Sequence, residues 1–234
     1  MQKIKPRRAD AKRTTHGRIV TSASRLMRHR GLTRASVADV MRGAGLTVGG
    51  FYAHFRSKRA MDLEVLEQTF ADVRARAAAR LGDAEGAEWL ARTVAHYLSA
   101  DHSDRPHEGC PVPAVAADLT HADKALRVAL GRFFDTWSRR IAAHAPETTA
   151  ATSRERALAT IALCVGGLTI ARCLRGQRLS GEFLRACQRW ALPEHPRKAP
   201  LPSAAPRTSC ALRAEAGLSD RPSPRRRRRA SPPD

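Results

Sequence analysis

Apolar residues recur at helical spacing along most of this 234-residue chain. Ile19, Ala23 and Leu26 show that spacing near the start, and no stretch alternates apolar and polar residues over the length of a strand. Ala, Leu, Arg and Val are abundant, whereas aromatic residues make up only 5% of the chain. We therefore predict an all-α fold, with enough apolar residues for a small domain beside a larger one.

Positive charge is concentrated in the N-terminal part of the chain. Residues 14–60 carry nine Lys and Arg against one acidic residue, whereas residues 61–192 carry 17 against 16. A neutral body with a basic N-terminal region indicates one surface that binds phosphates. We predict a basic disordered arm over residues 1–13, a DNA-binding domain over 14–60, a helical domain over 61–192 and a disordered tail over 193–234.

The DNA-binding segment is predicted to begin with two helices joined by a turn. The first spans about residues 14–30, and Gly31 follows it, where a left-handed cap is favoured. The second begins at Ser36, with Asp39 placed three residues later to complete a capping box.

A third helix is predicted after a plausible N-cap at Thr47. Phe51 and Phe55 then share a buried stripe, which turns Tyr52 and His54 toward the opposite side. Ser57 is predicted to cap a fourth helix that joins this three-helix reader to the rest of the chain.

The run Gly45-Leu-Thr-Val-Gly-Gly-Phe-Tyr-Ala-His-Phe-Arg-Ser-Lys58, preceded by Ser36-Val-Ala-Asp-Val, resembles the DNA-binding domain of TetR/AcrR-type one-component transcriptional regulators. The resemblance covers about 50 residues. It implies an all-helical homodimer that binds double-stranded operator DNA, usually as a repressor. It also implies a C-terminal helical domain that forms the dimer and binds an effector.

Carried over residue by residue, the resemblance assigns DNA contacts to both helices of the motif. Thr47 and Tyr52 would touch phosphates or bases, while His54 and Lys58 would bind phosphates, as would Arg34 and Ser36 at the start of the second helix. The base-facing positions of the family are occupied here by Val48 and Gly50, whose side chains form no hydrogen bonds. Base readout would then depend on Thr47, Tyr52, a contact of Val48 with a thymine methyl, or DNA shape.

Five or six further helices are predicted over residues 61–192. The segment that begins at Ser153 and ends at Cys173 is apolar on nearly all sides, so other helices must cover it. A membrane span is disfavoured because four charged residues lie in or beside the segment: Arg154, Glu155, Arg156 and Arg172. Gly166 and Gly167 would allow close helix approach, which favours a role in a dimer core together with a helix near Ser180 to Leu192.

Two kinds of effector site are compatible with the body. Cys110 opens a predicted helix and has His107 nearby, so a low thiol pKa would make it a sensor of electrophiles or oxidants; a small packing cysteine is the alternative. A small apolar ligand could instead bind among the aromatic residues, which would otherwise be ordinary core. These aromatic residues are Trp89, Tyr97, Phe133, Phe134 and Trp137.

Several other classes are disfavoured. A zinc site among His96, Asp101, His102, His107 and Cys110 has no recognisable ligand spacing, so no metal is expected. We find no catalytic triad pattern or phosphate-binding loop and therefore expect neither an enzyme nor a cofactor. Without a signal-peptide core or a membrane span, and with five cysteines in no framework pattern, the chain is expected to be cytoplasmic.

The tail over residues 193–234 is rich in Pro, Ser and Arg and lacks apolar periodicity. Arg225 to Arg229 could add nonspecific DNA affinity, or the tail could have no role. The alternative function is therefore a nonspecific nucleic-acid binder driven by its basic termini.

Overall fold

The computed structural model describes residues 8–145 and 149–192, and over these residues the fold is all-α, as predicted. The α-helices are α1 (Arg8–Arg30), α2 (Val37–Gly43), α3 (Lys58–Leu81), α4 (Gly86–Tyr97), α5 (Ala100–Asp104), α6 (Val112–Thr120), α7 (Lys124–Ala143), α8 (Ala150–Cys173) and α9 (Arg178–Ala191). A 3-10 helix, Val48–Ala53, lies between α2 and α3. The predicted disordered tail lies outside the described residues.

Helix α1 begins at Arg8, so the prediction of a disordered arm up to residue 13 was wrong for residues 8–13. The hydroxyls of Thr14 and Thr15 donate to the carbonyls of Asp10 and Ala11, each one turn earlier in the helix. Asp10 also lies in the first turn, where a negative charge favours the helix N-terminus. These local interactions extend the helix beyond its apolar stripe.

The first two helices and the 3-10 helix form the predicted helix-turn-helix. Ile19 of α1, Met41 of α2 and Phe51 of the 3-10 helix are fully buried together. Gly31 ends α1 with φ of +81°, in agreement with the predicted left-handed cap.

The third element is a short 3-10 helix instead of the predicted α-helix. Gly49 and Gly50 have poor α-helix propensity, and Thr47 makes no side-chain cap bond within the described structure. Phe51 and Phe55 are both buried, as their spacing predicts.

Helix α3 connects the helix-turn-helix to the rest of the chain. The Ser57 hydroxyl accepts a hydrogen bond from the Ala60 amide at 3.1 Å, which confirms the predicted cap. Leu66 and Phe70 are buried, while Leu63 and Val73 lie half-buried at the edge of the same stripe.

Helices α8 and α9 pack closely as an antiparallel pair at the far end of the chain. Gly167 permits this approach, because a Cβ atom there would lie 2.7 Å from Sγ of Cys187 and 3.1 Å from a methyl of Leu98. Helix α8 is long and apolar enough to cross a membrane by length and composition alone. It packs against α6, α7 and α9 of the same chain, and its role in a dimer core stays a prediction.

The segment 101–111 contains the helix breakers Pro106, Gly109 and Pro111, but α5 occupies its beginning. The Ser99 hydroxyl caps α5 by accepting from the His102 amide at 3.1 Å. Arg172 of α8 and Arg175 of the turn after α8 donate to the carbonyls of His102 and Asp104. These long-range bonds explain a helix that local sequence did not indicate.

Candidate nucleic-acid interface and ligand cavity

The 3-10 helix projects an exposed set of side chains from the helix-turn-helix. Tyr52 is 75% exposed and Val48 is 50% exposed, although the neighbouring Phe51 is fully buried. Thr47 is exposed at the N-cap position. Large apolar side chains rarely remain this exposed without a partner to cover them, so this face is a candidate contact surface.

Two glycines keep the same face free of other side chains. A Cβ atom at Gly49 would meet no described atom within 4 Å, and one at Gly50 would reach only the Met41 methyl at 3.7 Å. Packing within the protein therefore does not require glycine at either position. They leave the backbone open to close approach by another molecule.

Arg34 and Ser36 precede α2 on the exposed side of the turn. Ser36 caps α2, because its hydroxyl accepts from the Asp39 amide at 3.1 Å. The same hydroxyl donates to the Asp39 carboxylate at 2.7 Å, so the predicted capping box is formed only in part. Arg34 carries an exposed positive charge at the N-terminus of this helix.

His54 and Lys58 are less available than Tyr52. The His54 ring lies half-buried beside His16, with 5.8 Å between ring centroids, and its Nδ1 is buried without a described partner. Burial, together with the charge of His16, lowers the pKa of His54. The Lys58 ammonium donates to the Leu32 carbonyl at 3.0 Å and to the Asp62 carboxylate at 2.7 Å. Both residues thus have structural contacts at the edge of the exposed face.

The helix-turn-helix is attached to α6 through the turn after α1. The Asp118 carboxylate of α6 accepts hydrogen bonds from the backbone amides of Leu32 at 2.7 Å and Thr33 at 3.1 Å. Burial opposes its ionisation, but the bonds from Thr33 and Leu32 outweigh this and lower the pKa of Asp118. A second link joins Arg59 of α3 to Asp123, the N-cap of α7, at 2.6 Å. These carboxylates fix the orientation of the helix-turn-helix relative to the body.

A cavity of about 180 Å³ opens between α3, α4, α7 and the segment before α6. Its aromatic wall is formed by Trp89, Tyr97, Phe133 and Trp137, four of the five aromatic residues predicted from the sequence. Phe134 does not line it, because neighbouring helical residues point about 100° apart and Phe133 takes the inward position.

One face of α4 presents three polar atoms to this cavity. Trp89, Thr93 and Tyr97 are spaced one turn apart, and each lines the cavity. Trp89 Nε1, Thr93 Oγ1 and the Tyr97 hydroxyl are buried. The first two make no hydrogen bond with the described residues, whereas the Tyr97 hydroxyl interacts with the Cys110 thiol. Buried polar groups are nearly always satisfied in proteins, so two unsatisfied atoms one turn apart on the same helix suggest a missing ligand.

Cys110 borders the cavity, but its surroundings differ from the prediction. The residue is buried, and burial raises the pKa of its thiol, which agrees with the packing-cysteine alternative and not with a low thiol pKa. His107 is not its neighbour, since the imidazole points toward the Glu108 carboxylate 3.4 Å away. Proximity in sequence did not bring these two side chains together.

His102 occupies the position expected of His107. Its Nε2 accepts from the Cys110 amide at 3.1 Å, so its Nδ1 carries the proton and donates to the Tyr97 carbonyl at 2.8 Å. Burial lowers the pKa of His102 to about 4, which keeps the ring neutral. Gly109 lets the chain close over this ring, because a Cβ atom there would collide with it.

Sequence reasoning missed the polar and charged residues of the cavity. Thr93 could have been found, since it lies one turn from both Trp89 and Tyr97. Arg76, Arg80 and Arg140 also line the cavity, but they come from two helices far apart in sequence. The residues considered for zinc do not form a group of three or more metal-binding side chains among those described.

Two family models match the chain. Residues 19–65 match the model of bacterial regulatory proteins of the tetR family, and residues 84–179 match the C-terminal domain model of LmrA/YxaF-like transcriptional regulators. The first match covers the helix-turn-helix and the start of α3. The second covers α4 to α8, including the cavity residues of α4 and α7.

A related repressor agrees with these models. The chain is 27% identical over 119 residues to the HTH-type transcriptional repressor DhaR of Mycobacterium sp. (strain GP1), a match that spans 51% of this chain and 59% of that relative.

Solved structures share the fold. A TetR transcriptional regulator from Chloroflexus aurantiacus J-10-FL superposes with a TM-score of 0.67 at 24% identity, covering 78% of this chain and 94% of that chain. The reduced form of E. coli NemR superposes with a TM-score of 0.61 at 20% identity, covering 76% and 95%. Together the family models span more than half of the sequence and include both the exposed 3-10 helix and the cavity. The chain therefore belongs to the TetR family of bacterial transcriptional regulators.

Proposed function

We propose that this protein is a repressor that binds operator DNA in the bacterial cytoplasm as a homodimer and is released by a small effector. The observation that carries the DNA-binding part is the exposed face of the 3-10 helix. Tyr52 and Val48 are exposed beside the fully buried Phe51, and Gly49 and Gly50 add no side-chain bulk. A buried core thus supports an exposed face that could enter a major groove.

Phosphate contacts would surround this face. Arg34 is exposed at the start of α2, where the helix dipole also favours a phosphate. Ser36 lies beside it, and Lys58 and His54 lie at the other edge. Because Lys58 is already paired with Asp62, and His54 has a lowered pKa, Arg34 and Thr47 should contribute more binding free energy.

Base readout would rest on few groups. Thr47 and Tyr52 can form hydrogen bonds, whereas Val48 can contact only an apolar atom such as the thymine methyl. Gly50 makes no side-chain contact, so the remaining selectivity would come from DNA shape.

The homodimer would form through α8 and α9. Leu158 and Ile170 of α8 are 45% and 40% exposed, and Ala162 and Gly166 lie between them at one-turn spacing. A Cβ atom at Gly166 would meet no described atom within 4 Å. A second copy can bury this small-residue stripe, and two-fold symmetry would place the two 3-10 helices in successive major grooves.

A small ligand in the cavity is the favoured effector. Two unsatisfied polar atoms on α4 support it, and Cys110, in the wall, lies two residues before α6, the helix that contains Asp118. Modification of the Cys110 thiol is the second candidate, since the thiol borders the cavity. Its burial and raised pKa make it a slow nucleophile, which favours the ligand.

The test is binding of the full chain to DNA from its own upstream region and to random DNA at near-physiological salt. We expect preferential binding of the upstream DNA and a roughly 30- to 100-fold loss of that preference in Tyr52→Ala, because both subunits lose a groove contact. Val128→Ala, which shortens an exposed apolar side chain of α7, is the matched control.

A larger effect of removing the basic tail than of Tyr52→Ala would support a nonspecific nucleic-acid binder. In that case, removal of residues 193–234 would abolish binding to both DNAs, while Tyr52→Ala would change neither. Adding a thiol-reactive electrophile distinguishes the two candidate effectors. If thiol modification is the signal, the electrophile should release DNA from the wild type but not from Cys110→Ser.

A further inference from the structure

The cavity has an unbalanced positive charge. It is lined by five arginines against two carboxylates, Asp101 and Glu108. Arg105 is paired with Asp101 at 3.0 Å and lies 4.0 Å from Glu108. The remaining four, Arg74, Arg76, Arg80 and Arg140, form no ion pair within the described residues.

Two of these arginines contact uncharged groups of the cavity, which do not neutralise their positive charge. His96 accepts a hydrogen bond from Arg80 at 2.6 Å, so its ring acts as a neutral acceptor. Arg140 lies over the Trp89 ring, 5.2 Å from its centroid. Two cationic side chains are therefore held at the cavity by uncharged partners, and their charge is available to a ligand.

The inner wall favours an aromatic ligand that carries hydrogen-bond acceptors. Phe133 and Trp137 of α7 form an aromatic cluster with Tyr97, at 5.2 to 5.8 Å between neighbouring rings. The indole N–H of Trp89 can only donate, so it needs an acceptor from the ligand. From Trp89 to Tyr97 the polar stripe of α4 extends about 12 Å, the length of two fused rings with a substituent.

We propose that the effector is an aromatic acid, a planar molecule of one or two rings whose carboxylate is bound by the unpaired arginines and whose edge accepts from Trp89. Trp89 is 3% exposed and lines the cavity, and its Nε1 is buried. The effect of this ligand on DNA binding rests on the proposed function, whereas its binding to the cavity does not. Binding itself can be measured without DNA.

The experiment compares acids with uncharged amides of the same shape. Isothermal titration of the full chain with 2-naphthoate and 2-naphthamide, and with benzoate and benzamide, isolates the charge. We expect at least one acid to bind about tenfold more tightly than its amide, as for other charge-assisted pairs. Equal affinity, a preference for the amides, or binding of none of the four compounds would overturn the proposal.

Two arginines on the same helix provide a matched pair of variants. Arg140→Gln should reduce the acid-over-amide preference to about twofold. Arg139→Gln should leave it unchanged, because Arg139 is paired with Asp135 at 2.7 Å and does not line the cavity. Arg76→Gln tests a second cavity arginine that does not stack on Trp89. Equal effects of all three variants would indicate only a general charge effect and would overturn the assignment.

Failure of the ligand class and failure of the proposed function have different results. If an acid binds but does not release upstream DNA, the ligand class stands and the effector role fails. If upstream DNA is bound preferentially but neither acid binds, the regulator stands and the ligand class is wrong.

Discussion

The 3-10 helix face and the cavity both present polar groups to a partner, but they differ in what those groups cost the free protein. Thr47 and Tyr52 are exposed to water, which satisfies their hydroxyls before any DNA is bound. Trp89 Nε1 and Thr93 Oγ1 are buried without a described partner, so they lower the stability of the free protein. Substitutions on the 3-10 helix face should therefore leave the free energy of unfolding unchanged. The polar groups of the cavity lower the stability of the free protein but favour ligand binding.

Between these regions lie residues that serve neither partner directly. Gly31, Asp118 and the Asp123–Arg59 pair join the helix-turn-helix to α6 and α7. Changes in this connection should disturb folding and DNA binding together. The comparison can thus be tested by substitutions that separate stability, DNA affinity and ligand affinity.

The largest effect is expected for Gly31→Ala. Gly31 has φ of +81°, and an added Cβ atom would lie 2.5 Å from Oδ2 of Asp118 and 2.9 Å from the Ala114 carbonyl. The strained backbone and the contact with α6 should lower the free energy of unfolding by about 3 to 5 kcal/mol. Chemical denaturation gives this value.

The matched control is Gly17→Ala, in the interior of α1. A Cβ atom there would contact no described atom within 4 Å, so the variant should be more stable by up to about 1 kcal/mol. Equal effects of the two substitutions would show that the turn does not press against α6 in solution.

The second effect is a pH dependence centred on the cavity wall. The pKa of His102 is about 4 in the folded protein, below the ordinary value of 6.5, because the ring is buried. Between these values the unfolded chain binds a proton that the folded chain does not. Stability is therefore full above about pH 6.5 and falls as the pH decreases toward 4, by at most about 3 kcal/mol.

The measurement is the free energy of unfolding at pH 7 and pH 5 for the wild type and His102→Gln. The wild type should lose more stability between the two values than the variant, which has no ring to protonate. His54 and His96 also have lowered pKa values and remain in both proteins, so their contribution cancels in the difference. An identical loss in both proteins would contradict a neutral, buried His102.

The two regions also differ in how much the sequence revealed. The DNA-facing residues lie within one short run, and the buried positions of Phe51 and Phe55 determine where Tyr52 points. Local spacing was therefore sufficient, except that Gly49 and Gly50 shorten the helix to a 3-10 turn. The DNA contacts of these residues remain predictions.

The cavity could be predicted only in part, because it is assembled from residues far apart in sequence. Large aromatic residues indicated Trp89, Tyr97 and Trp137, but the choice of Phe133 over Phe134 depends on the rotation of α7. His102 replaced His107 beside Cys110 because α5 turns its ring inward, where Arg172 of α8 also caps the helix. No local pattern encodes these long-range contacts.

A third, smaller effect concerns the link between the regions. In Asp118→Asn the side chain keeps one acceptor oxygen but loses the negative charge that strengthens its bonds to the amides of Leu32 and Thr33. We expect a loss of about 1 to 2 kcal/mol in stability and a several-fold weaker affinity for upstream DNA. Affinity for the cavity ligand should not change, since Asp118 does not line the cavity.

Fluorescence anisotropy with labelled DNA and calorimetry with 2-naphthoate measure the two affinities separately. Asp83→Asn, an exposed carboxylate in the turn after α3, is the control for loss of one charge. If Asp118→Asn changed neither stability nor DNA affinity, the contact of Asp118 with the turn after α1 would not couple α6 to the helix-turn-helix.

The smallest effect is the most direct test of the comparison. Thr93→Val replaces the hydroxyl of Thr93 with a methyl group of similar size and removes a buried oxygen that has no described partner. The free protein should become more stable by about 1 kcal/mol, because the desolvation penalty of that oxygen disappears.

Thr69→Val is the matched control, since the Thr69 hydroxyl is buried and shares a 2.8 Å hydrogen bond with Ser24. That substitution leaves Ser24 unpartnered and should destabilise the protein by about 1 to 2 kcal/mol. Thermal unfolding would thus give shifts of opposite sign for the same chemical change, and only Thr93→Val should also weaken binding of the aromatic acid. If both variants were destabilised, the Thr93 hydroxyl would already have a partner in the free protein, and the cavity would not differ from an ordinary core in the way proposed.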